Sequence, residues 1–536
     1  MSIPQTIVLL SGAVSSGKTT LGTMLVERFQ FELIKTKAVL QTYFPESANE
    51  RKALQDHGTY LDQKTQGAWV RDEILDRIGK TNPKYVLVDA VRIEKQVDAI
   101  RKAFGPRVFH IHLDAPTDVL ASRYKKRRVK GFKEFSAYKE VARNATEKRI
   151  SRLAEIADVV IKTDRCAQED VLVRAASHLG LYGAEDARLV DVVVGGEYGS
   201  EGKGHIVSYL AREYDLLIRV GGPNAGHKVF RVPEPYTHHQ LPSGTLFSEA
   251  RLLIGPGAVL NVPALLKEIA DCGVPRERLS IDPQAMIIDS ADITAEKKLV
   301  KTIGSTGQGV GSATARRILG RSDKKLKLAR DIPELKPYTG SSAREQLERA
   351  YADRRKILLE GTQGTGLSLF HGPYPYVTSR DTTVAGLLSE SGIAPRRVRK
   401  IVMVCRSYPI RVQDPPGSTS GPLSQKISWR VIAERSGIPL EELQSLERTS
   451  TTGRKRKVGE FEWELLRRAA SLNGPTDIAL TFADYMGAVN TQARRFEQLT
   501  PETLRFTEEI EKVSGAPVSL ISTRFHWRSI IDRRAW

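Results

Sequence analysis

The chain has 536 residues and carries 82 lysines and arginines against 63 aspartates and glutamates, a formal net charge of +19. This length exceeds one ordinary hydrophobic core, so two or more domains are expected. No apolar run is long enough to span a bilayer and no signal peptide opens the chain, which predicts a soluble, cytoplasmic protein. Three scattered cysteines suggest neither a disulfide framework nor a CxxC metal site.

The excess of positive charge favours anionic partners. Aromatic residues make up only 7% of the chain, and basic and aromatic residues are not interleaved as they are in proteins that bind single strands. A basic surface with several phosphate sites therefore accounts for the charge, and nucleic acid is not an expected partner.

A glycine-rich loop follows the first predicted strand, at residues 6–10, and precedes a helix. Its sequence matches GxxxxGK[ST] in the strand–loop–helix context that this motif requires. Backbone N–H groups and the lysine would hold the phosphates of ATP, and the first threonine hydroxyl would bind Mg²⁺. The predicted ATP site comprises Gly12, Gly17, Lys18, Thr19, Thr20 and, at the end of a later strand, Asp89.

Residues 1–186 resemble a nucleoside monophosphate kinase or a related small-molecule kinase. The resemblance is carried by the strand that ends at Asp89, by Arg92 after it, and by the basic run at residues 123–128. That run is either a solvated face or a lid that closes on transferring phosphates. A regulatory ATPase or nucleotide-sensing module is the alternative, and the acceptor of the phosphate is not readable from the sequence.

Two further glycine loops follow neighbouring predicted strands, at residues 192–194 and 216–220. The first runs through Ser200 and Lys203, and the second contains Asn224 and His227. Such loops meet at the carboxyl edge of a parallel sheet, where α/β folds bind ligands. The pair predicts a phosphate-binding site.

These loops resemble those of the adenylosuccinate synthetase family, and the resemblance continues from residue 189 to the C-terminus. Members join aspartate to C6 of a 6-oxopurine nucleotide. A triphosphate, usually GTP, phosphorylates the 6-oxygen, and the amine of aspartate then displaces phosphate. The resemblance implies an α/β chain in which a P-loop kinase-like domain (1–186) precedes an adenylosuccinate-synthetase-like α/β domain (187–536). It also implies L-aspartate, GTP or ATP, a purine nucleoside monophosphate and Mg²⁺ as ligands, and a homodimer.

The resemblance assigns roles to individual residues. His227 matches the catalytic acid, Lys203 a phosphate-binding lysine, and the carbonyl of Gly226 a Mg²⁺ ligand. Arg321 is the expected arginine that reaches the nucleotide phosphate of a partner subunit. The other nucleotide and phosphate contacts are Gly199, Glu201, Gly202, Gly204, Asn224, Ser305, Thr306, Gln363, Thr378, Asp484 and Ser522. The aspartate clamp comprises Thr451, Thr452, Arg454 and Arg456, whose guanidinium groups suit bidentate binding of a carboxylate.

The loop that reads the triphosphate base departs from the family pattern. Asp484, which would pair with guanine, is present, but Phe482 stands where the family has a lysine that packs over the base. Arg524 adds bulk and charge nearby. GTP is favoured over ATP, and both remain open.

Ser200 stands at the position of the family's catalytic aspartate. A hydroxyl cannot accept the N1 proton as an ionised carboxylate does. Three interpretations follow: the domain no longer ligates, Ser200 acts with water or Glu201 at reduced rate, or the substrate is a guanine nucleotide whose 2-amino group needs the space. A phage branch of the family is similar in having a small residue here and acting on dGMP. IMP and GMP or dGMP are therefore both candidate substrates.

The fusion of the two domains suggests consecutive steps on one purine nucleotide. The alternative from another class is a nucleotide-sensing protein with an inactive ligase-derived domain. Ser200, Phe482 and Arg524 favour that alternative, whereas the retained aspartate clamp argues against it, because a sensor has no evident use for it.

Overall fold

The computed structural model describes residues 4–45, 51–126, 138–143, 149–182, 187–449 and 453–535. The chain divides into two compact units, Met1–Tyr182 and Gly183–Trp536, each with its own sheet and core. Four residues of the predictions above lie outside the described ranges, namely Arg127 and Arg128 of the basic run, and Thr451 and Thr452 of the aspartate clamp. Both units are α/β, as the sequence predicts.

The first unit is built on a five-stranded parallel sheet with the order β2–β3–β1–β4–β5. Its strands are β1 (Thr6–Ser11), β2 (Glu32–Lys35), β3 (Tyr85–Asp89), β4 (Val108–Asp114) and β5 (Val159–Lys162). Its helices are α1 (Lys18–Phe29), α2 (Thr36–Tyr43), α3 (Arg51–Thr65), α4 (Trp69–Thr81), α5 (Glu94–Phe104), α6 (Thr117–Lys126), α7 (Tyr138–Arg143) and α8 (Gln168–His178).

The central strand β1 is an almost wholly buried run, because helices cover both faces of a parallel sheet. The glycine-rich loop joins β1 to α1. Register pairs Leu10 of β1 with Asp89 of β3, and Asp89 with Lys35 of β2. Asp89 and Lys35 therefore end their strands at the same edge as the loop.

The second unit has a nine-stranded sheet with the order β12–β10–β7–β14–β6–β15–β19–β20–β21, parallel except for its last pair. Those strands are β6 (Val190–Gly195), β7 (Leu216–Arg219), β10 (Arg251–Ile254), β12 (Leu279–Ile281), β14 (Ile357–Glu360), β15 (Val398–Arg406), β19 (Asp477–Thr481), β20 (Val518–Ser522) and β21 (Ile530–Asp532). Smaller sheets pair β8 (His227–Val229) with β9 (Tyr236–His238), β11 (Val259–Leu260) with β13 (Met286–Ile287), and β18 (Arg456–Gly459) with β16 (Ile410–Val412) and β17 (Lys426–Ile427).

Helices pack on both faces of this sheet and enclose two hydrophobic clusters. The helices are α9 (Lys203–Leu210), α10 (Val262–Asp271), α11 (Ser290–Ala295), α12 (Lys297–Ile303), α13 (Val310–Leu319), α14 (Ala343–Ala352), α15 (Val384–Ser391), α16 (Trp429–Ser436), α17 (Leu440–Leu446), α18 (Trp463–Asn473) and α19 (Pro501–Ser514). Within the described ranges, none of the helices of the chain combines the length and the apolarity that crossing a bilayer requires.

Five neighbouring strands of the large sheet, in the order β7–β14–β6–β15–β19, run parallel to one another. Their carboxyl ends therefore lie along one edge. The residues that follow them are the two glycine loops after β6 and β7, the segment 361–364 after β14, Arg406 at the end of β15, and the segment 482–484 after β19. This edge brings together segments that are far apart in the chain.

Gly12 is a point at which the first unit tolerates no side chain. Its φ is 137°, and a Cβ atom there would lie 2.2 Å from the carbonyl oxygen of Leu113. We expect Gly12→Ala to lower the free energy of unfolding by about 2–4 kcal/mol, from backbone strain and overlap together. Gly79 in α4 is the control, because a Cβ there meets nothing within 4 Å; Gly79→Ala should stabilise by about 0.5–1 kcal/mol. Denaturant unfolding measures both, and equal effects would contradict the expectation.

Candidate functional site

The P-loop of the first unit borders a cavity of about 770 Å³. Gly17, Lys18, Thr19, Thr20 and Asp89 all line it, so the sequence-predicted ATP residues lie together there, apart from Gly12. The ammonium group of Lys18 donates to the carbonyl of Gly12 at 2.6 Å and to that of Ala13 at 2.9 Å. The lysine thus folds back across its own loop, where an incoming phosphate would compete for it.

Two buried histidines lie behind the P-loop. The hydroxyl of Ser11 is hydrogen-bonded to His110 Nε2 at 2.7 Å and to His112 Nδ1 at 2.8 Å. Burial lowers the pKa of each histidine to about 4. Both rings are therefore neutral at pH 7, and the positive charge at the loop comes from Lys18.

In the second unit, the carboxylate of Glu201 holds the first glycine loop in shape through hydrogen bonds. Its Oε1 accepts hydrogen bonds from the backbone N–H groups of Glu197 at 3.0 Å and Gly199 at 2.8 Å, and its Oε2 accepts from Lys203 Nζ at 2.6 Å. Both side chains of the ion pair are fully buried. All of these bonds lie within the loop, so Glu201 acts as a brace and is poorly placed to serve as a base beside Ser200.

His227 begins β8 and is held by a buried carboxylate. Its Nδ1 lies 2.5 Å from Glu360 Oε1, which also accepts from Arg219 at 3.4 Å. Glu360 Oε2 accepts from the backbone N–H of Ser243 at 2.7 Å. Burial opposes ionisation of Glu360, but Arg219 and His227 lower its pKa below the usual value. Glu360 is therefore a carboxylate that accepts from Nδ1–H.

The pKa of His227 is lowered, first by burial and then by the charge of Arg219, while Glu360 raises it. The imidazole is neutral at pH 7 in the free protein. With Nδ1–H committed to Glu360, its second nitrogen, Nε2, is the atom that can exchange a proton with a ligand. Among the described residues this buried Nε2 has no hydrogen-bond partner.

A pocket of about 200 Å³ opens at the carboxyl edge of the five strands. Gln363 and Thr378 meet there, with Gln363 Nε2 donating to Thr378 Oγ1 at 2.7 Å. Gln363 adopts a φ of 60°, an unusual left-handed conformation for a side chain of this size. The sequence-predicted residues that line the pocket are Gly199, Ser200, Asn224, Gly226, Ser305, Thr306, Gln363, Thr378 and Arg456.

Several buried polar atoms of this pocket lack a partner among the described residues. They are Asn224 Oδ1, Gln363 Oε1, Arg411 Nη1 and Arg456 Nε. Buried polar atoms are normally paired, and leaving one unpaired costs about 1–3 kcal/mol. A concentration of such atoms around one pocket indicates a polar ligand that supplies both donors and acceptors.

A chain of buried charges lies next to the pocket. Arg406 and Arg456 each bind Glu447 at 2.9 Å, through different carboxylate oxygens. Burial opposes ionisation of Glu447, but the two guanidinium groups lower its pKa. Arg454 donates to the carbonyls of Gly304 at 3.3 Å and of Ser305 at 3.4 Å. The arginines of the expected aspartate clamp are thus held beside the loop that carries Thr306.

The segment after β19 carries the residues expected to meet the triphosphate base. The Arg406 guanidinium lies 3.9 Å from the centre of the Phe482 ring, so one face of that ring is already covered. Burial raises the pKa of Asp484 to about 7, and its Oδ1 has no partner among the described residues. Ser522 is buried and donates to the carbonyl of Arg524 at 3.1 Å.

Other predicted residues lie away from the pocket wall. Gly204 packs against His227, where a Cβ would lie 2.9 Å from His227 Cβ, and Gly202 packs near Phe482. Lys203 is buried with Glu201. Arg321 lies in the turn after α13, is exposed, and is not among the residues that line this pocket.

Sequence reasoning missed four residues that shape this site. Arg219, Glu360, Arg406 and Arg411 are all buried, and three of them end apolar strands. A charged residue at the carboxyl end of an apolar strand is a signal that the sequence carries, since such a strand is otherwise expected to be uncharged. Arg411 has no such signal; it stacks over the Tyr198 ring at 4.5 Å.

The described residues contain no group of three or more histidine, cysteine, aspartate or glutamate side chains that could hold a metal. Mg²⁺ is commonly bound by one or two protein ligands together with substrate phosphates. Thr19 and Asp89 line the first cavity, and Ser200 and Gly226 line the second. These residues fit a cation that arrives with a nucleotide.

The first α/β unit carries a P-loop, and the second carries a polar pocket bordered by glycine loops. These features define the class of the protein, a nucleotide-binding chain of two units. The model of the adenylosuccinate synthetase family matches residues 192–331 and 322–491, and a model of an AAA domain matches residues 7–153. The chain belongs to the adenylosuccinate synthetase family, a family of ligases.

Curated relatives cover the second unit. Adenylosuccinate synthetase of Methanocaldococcus jannaschii is 38% identical over 355 residues, which are 64% of this chain and 96% of that protein. The enzyme of a Pyrococcus species is 38% identical over 352 residues, which are 64% of this chain and 98% of its own length.

Two solved structures share this fold. Fully ligated adenylosuccinate synthetase from Plasmodium falciparum matches with a TM-score of 0.56 and 21% identity, over 65% of this chain and all of that chain. Succinoaminodeoxyadenylate synthetase of cyanophage S-2L, bound to dGMP and to dATP as an energy donor, matches with a TM-score of 0.54 and 27% identity. It is covered over 96% of its length, against 65% of this chain.

Glu360 should set the protonation of His227 during catalysis. We expect Glu360→Gln to lower kcat for ligation by about 10²-fold while the KM values for nucleotides stay within about twofold. Since Glu360 raises the pKa of His227, the optimum of kcat should also move to lower pH. Steady-state kinetics across pH measure both effects.

The control is Glu268→Gln. Glu268 is another buried carboxylate paired with a histidine, His238, at 3.2 Å, and neither residue lines the pocket. It should leave kcat and its pH optimum unchanged. Equal losses in the two variants would show that Glu360 matters only for folding.

Proposed function

We propose that the second unit joins L-aspartate to C6 of a 6-oxopurine nucleoside monophosphate, with hydrolysis of GTP or ATP through a 6-phosphoryl intermediate. One observation carries the proposal: His227, oriented by Glu360, lies at the strand edge that also bears a pocket whose buried donors and acceptors have no partner among the described residues. The family supports the same reaction class.

The residues of the site fit distinct tasks. Gln363 and Asn224 present amide groups to the base, and Thr306 and Thr378 present hydroxyls to sugar and phosphate. Arg454 and Arg456 would clamp the carboxylates of aspartate. When an anionic phosphoryl group approaches Nε2 of His227, the Glu360 carboxylate stabilises the imidazolium, so that Nε2–H can donate to the oxygen that leaves C6. Mg²⁺, brought by the triphosphate, would neutralise charge near Gly226.

Within this class we propose a guanine nucleotide, GMP or dGMP, as the preferred substrate. Ser200 lines the pocket and its hydroxyl leaves more space than a carboxylate. It can also accept a hydrogen bond from an N–H group of the base. The phage synthetase that was solved with dGMP supports this choice by similarity. IMP is the second candidate, because the curated archaeal relatives are adenylosuccinate synthetases.

Both GTP and ATP remain candidate phosphoryl donors. An ionised carboxyl of Asp484 would pair with guanine, whereas its protonated form would pair with adenine. The pKa of about 7 allows either form near neutral pH. We also propose a homodimer, in which the exposed Arg321 is free of the pocket of its own subunit.

The decisive experiment is mass spectrometry of products from the full-length protein. Mg²⁺, aspartate and either GTP or ATP are supplied with IMP, GMP or dGMP separately. A succinylated guanine product is expected. A succinylated hypoxanthine product alone would contradict the guanine preference. Nucleotide binding without any adduct would favour a sensing protein with an inactive ligase site.

Ser200→Asp should shift the preference toward IMP. The carboxylate would crowd the 2-amino group and restore an acceptor for the N1 proton, so the ratio of kcat/KM for IMP to that for GMP should rise by about 10–100-fold. Ser200→Ala is the matched control, because it keeps the space and removes the hydroxyl. An unchanged ratio in Ser200→Asp would refute the steric explanation.

We propose further that the first unit is an ATP-dependent kinase that acts on a nucleotide connected with the ligase reaction. Lys18→Ala should lower phosphoryl transfer to its acceptor by at least about 10²-fold and leave ligation by the second unit within twofold. Lys80→Ala, an exposed lysine of α4, is the control. If the substrates of both reactions are supplied together and the combined flux is the same with and without Lys18, the proposed coupling of the two reactions is wrong.

A further inference from the structure

The cavity beside the P-loop extends beyond the residues that would hold ATP. Its far part is lined by α2, α3 and the start of α4, through Leu40, Leu54, Gln55, Asp62 and Trp69. None of these residues belongs to the P-loop motif or to the strand ends around it. They form the wall against which an acceptor molecule would lie.

Asp62 is held in this wall from behind. Its Oδ1 accepts hydrogen bonds from Trp69 Nε1 at 2.7 Å and from Gln96 Nε2 at 2.8 Å. Gln96 is only 1% exposed, and its own Oε1 accepts from the backbone N–H of Arg92 at 2.8 Å. The two donors fix the orientation of the carboxylate. Within the described part of the chain, no hydrogen bond reaches Oδ2, which is left for a ligand.

The environment of Asp62 favours a ligand that donates a hydrogen bond to its carboxylate. Burial raises the pKa of Asp62, while Trp69, Gln96 and the charge of Arg92 act in the opposite direction. A carboxylate withdrawn from water regains free energy when a ligand returns an N–H group to it. Asp62 is therefore suited to bind a hydrogen-bond donor of the ligand and to disfavour a hydrogen-bond acceptor at the same place.

The surrounding side chains describe the rest of the ligand. Leu40, Leu54 and Trp69 are buried and present apolar faces, which suit a planar ring. Lys35, the last residue of β2, and Lys37, in the first turn of α2, also line the cavity, and Lys35 is the strand partner of Asp89. A ring with an N–H edge at one end and a phosphate at the other matches this arrangement.

We propose that the acceptor of the first unit is a nucleoside monophosphate whose base carries an exocyclic amino group, and that Asp62 recognises this group. The inference rests on the proposed kinase function. In the reaction, the bond between the γ-phosphorus of ATP and its bridging oxygen breaks, and a bond to an oxygen of the acceptor phosphate forms. ADP and a nucleoside diphosphate result, and no proton needs to leave the acceptor phosphate. Gln96 and Trp69 are positioning residues.

The test uses the full-length protein, ATP and two matched pairs of acceptors. GMP differs from IMP only by the 2-amino group, and CMP differs from UMP by an amino group in place of an oxygen and by the N3 proton. Diphosphate products are quantified by mass spectrometry, and binding is followed separately by quenching of tryptophan fluorescence. In the wild type, the amino-bearing member of at least one pair should be preferred.

The variant Asp62→Asn tests directly whether the carboxylate of Asp62 recognises the amino group. Because Trp69 and Gln96 both donate, they should hold the amide oxygen of the introduced asparagine, which turns its NH₂ group toward the ligand. The acceptor at this position becomes a donor, so kcat/KM for the amino-bearing acceptor should fall by at least about 30-fold and the preference within the pair should vanish or invert. Asp56→Asn, on the exposed face of the same helix, should change nothing.

Trp69→Phe removes one donor to Asp62 and keeps an aromatic ring at this position, so it should raise KM for the amino-bearing acceptor less than Asp62→Asn and leave kcat unchanged. Two outcomes would overturn the inference while the kinase stands: acceptors used without regard to the amino group, or Asp62→Asn lowering kcat equally for all acceptors at constant KM, as loss of a catalytic base would. Failure of the wild type to phosphorylate any monophosphate would overturn the kinase proposal and the inference with it.

Discussion

The site of the second unit depends on one constraint, the common direction of β7, β14, β6, β15 and β19. In a parallel sheet every strand delivers its C-terminal residue to the same edge, whatever the distance along the chain. His227 and Glu360 are 133 residues apart in sequence and still meet at 2.5 Å. If β14 were antiparallel to its neighbours, Glu360 would lie at the opposite edge and His227 would lose its carboxylate.

This constraint also explains what the sequence could and could not reveal. The P-loop and the two glycine loops are local patterns, so their strands are predicted to within a residue or two, as with β7, which is predicted at residues 216–220 and lies at Leu216–Arg219. Glu360, Arg219 and Arg411 depend on contacts between distant segments, which periodicity does not report. Asp62 is harder still, because it lies within a helix without a motif and its importance comes from Gln96, 34 residues away.

Buried charge is the main energetic burden of the second unit. Arg219, Arg406 and Lys203 are among its largest fully buried side chains. A buried ion pair seldom adds net stability, because desolvation offsets the attraction between the charges. Here each pair fixes the position of a neighbouring group. The pair of Lys203 and Glu201 holds the shape of the first glycine loop, and the pair of Arg219 and Glu360 orients His227. The pair of Arg406 and Glu447 positions Arg456. The fold accepts the cost of desolvation and obtains side chains that need not reorganise when a ligand binds.

The first glycine loop shows how such a site can change its substrate. Its shape is set by Glu201, Lys203 and backbone N–H groups. The contact between Arg406 and Ser200 is made to the backbone carbonyl of Ser200, at 3.2 Å. Among the described residues, none is hydrogen-bonded to the side chain of Ser200, so this side chain does not hold the loop in place. A substitution at this position is therefore expected to change what the pocket accepts while the hydrogen bonds that hold the loop stay in place.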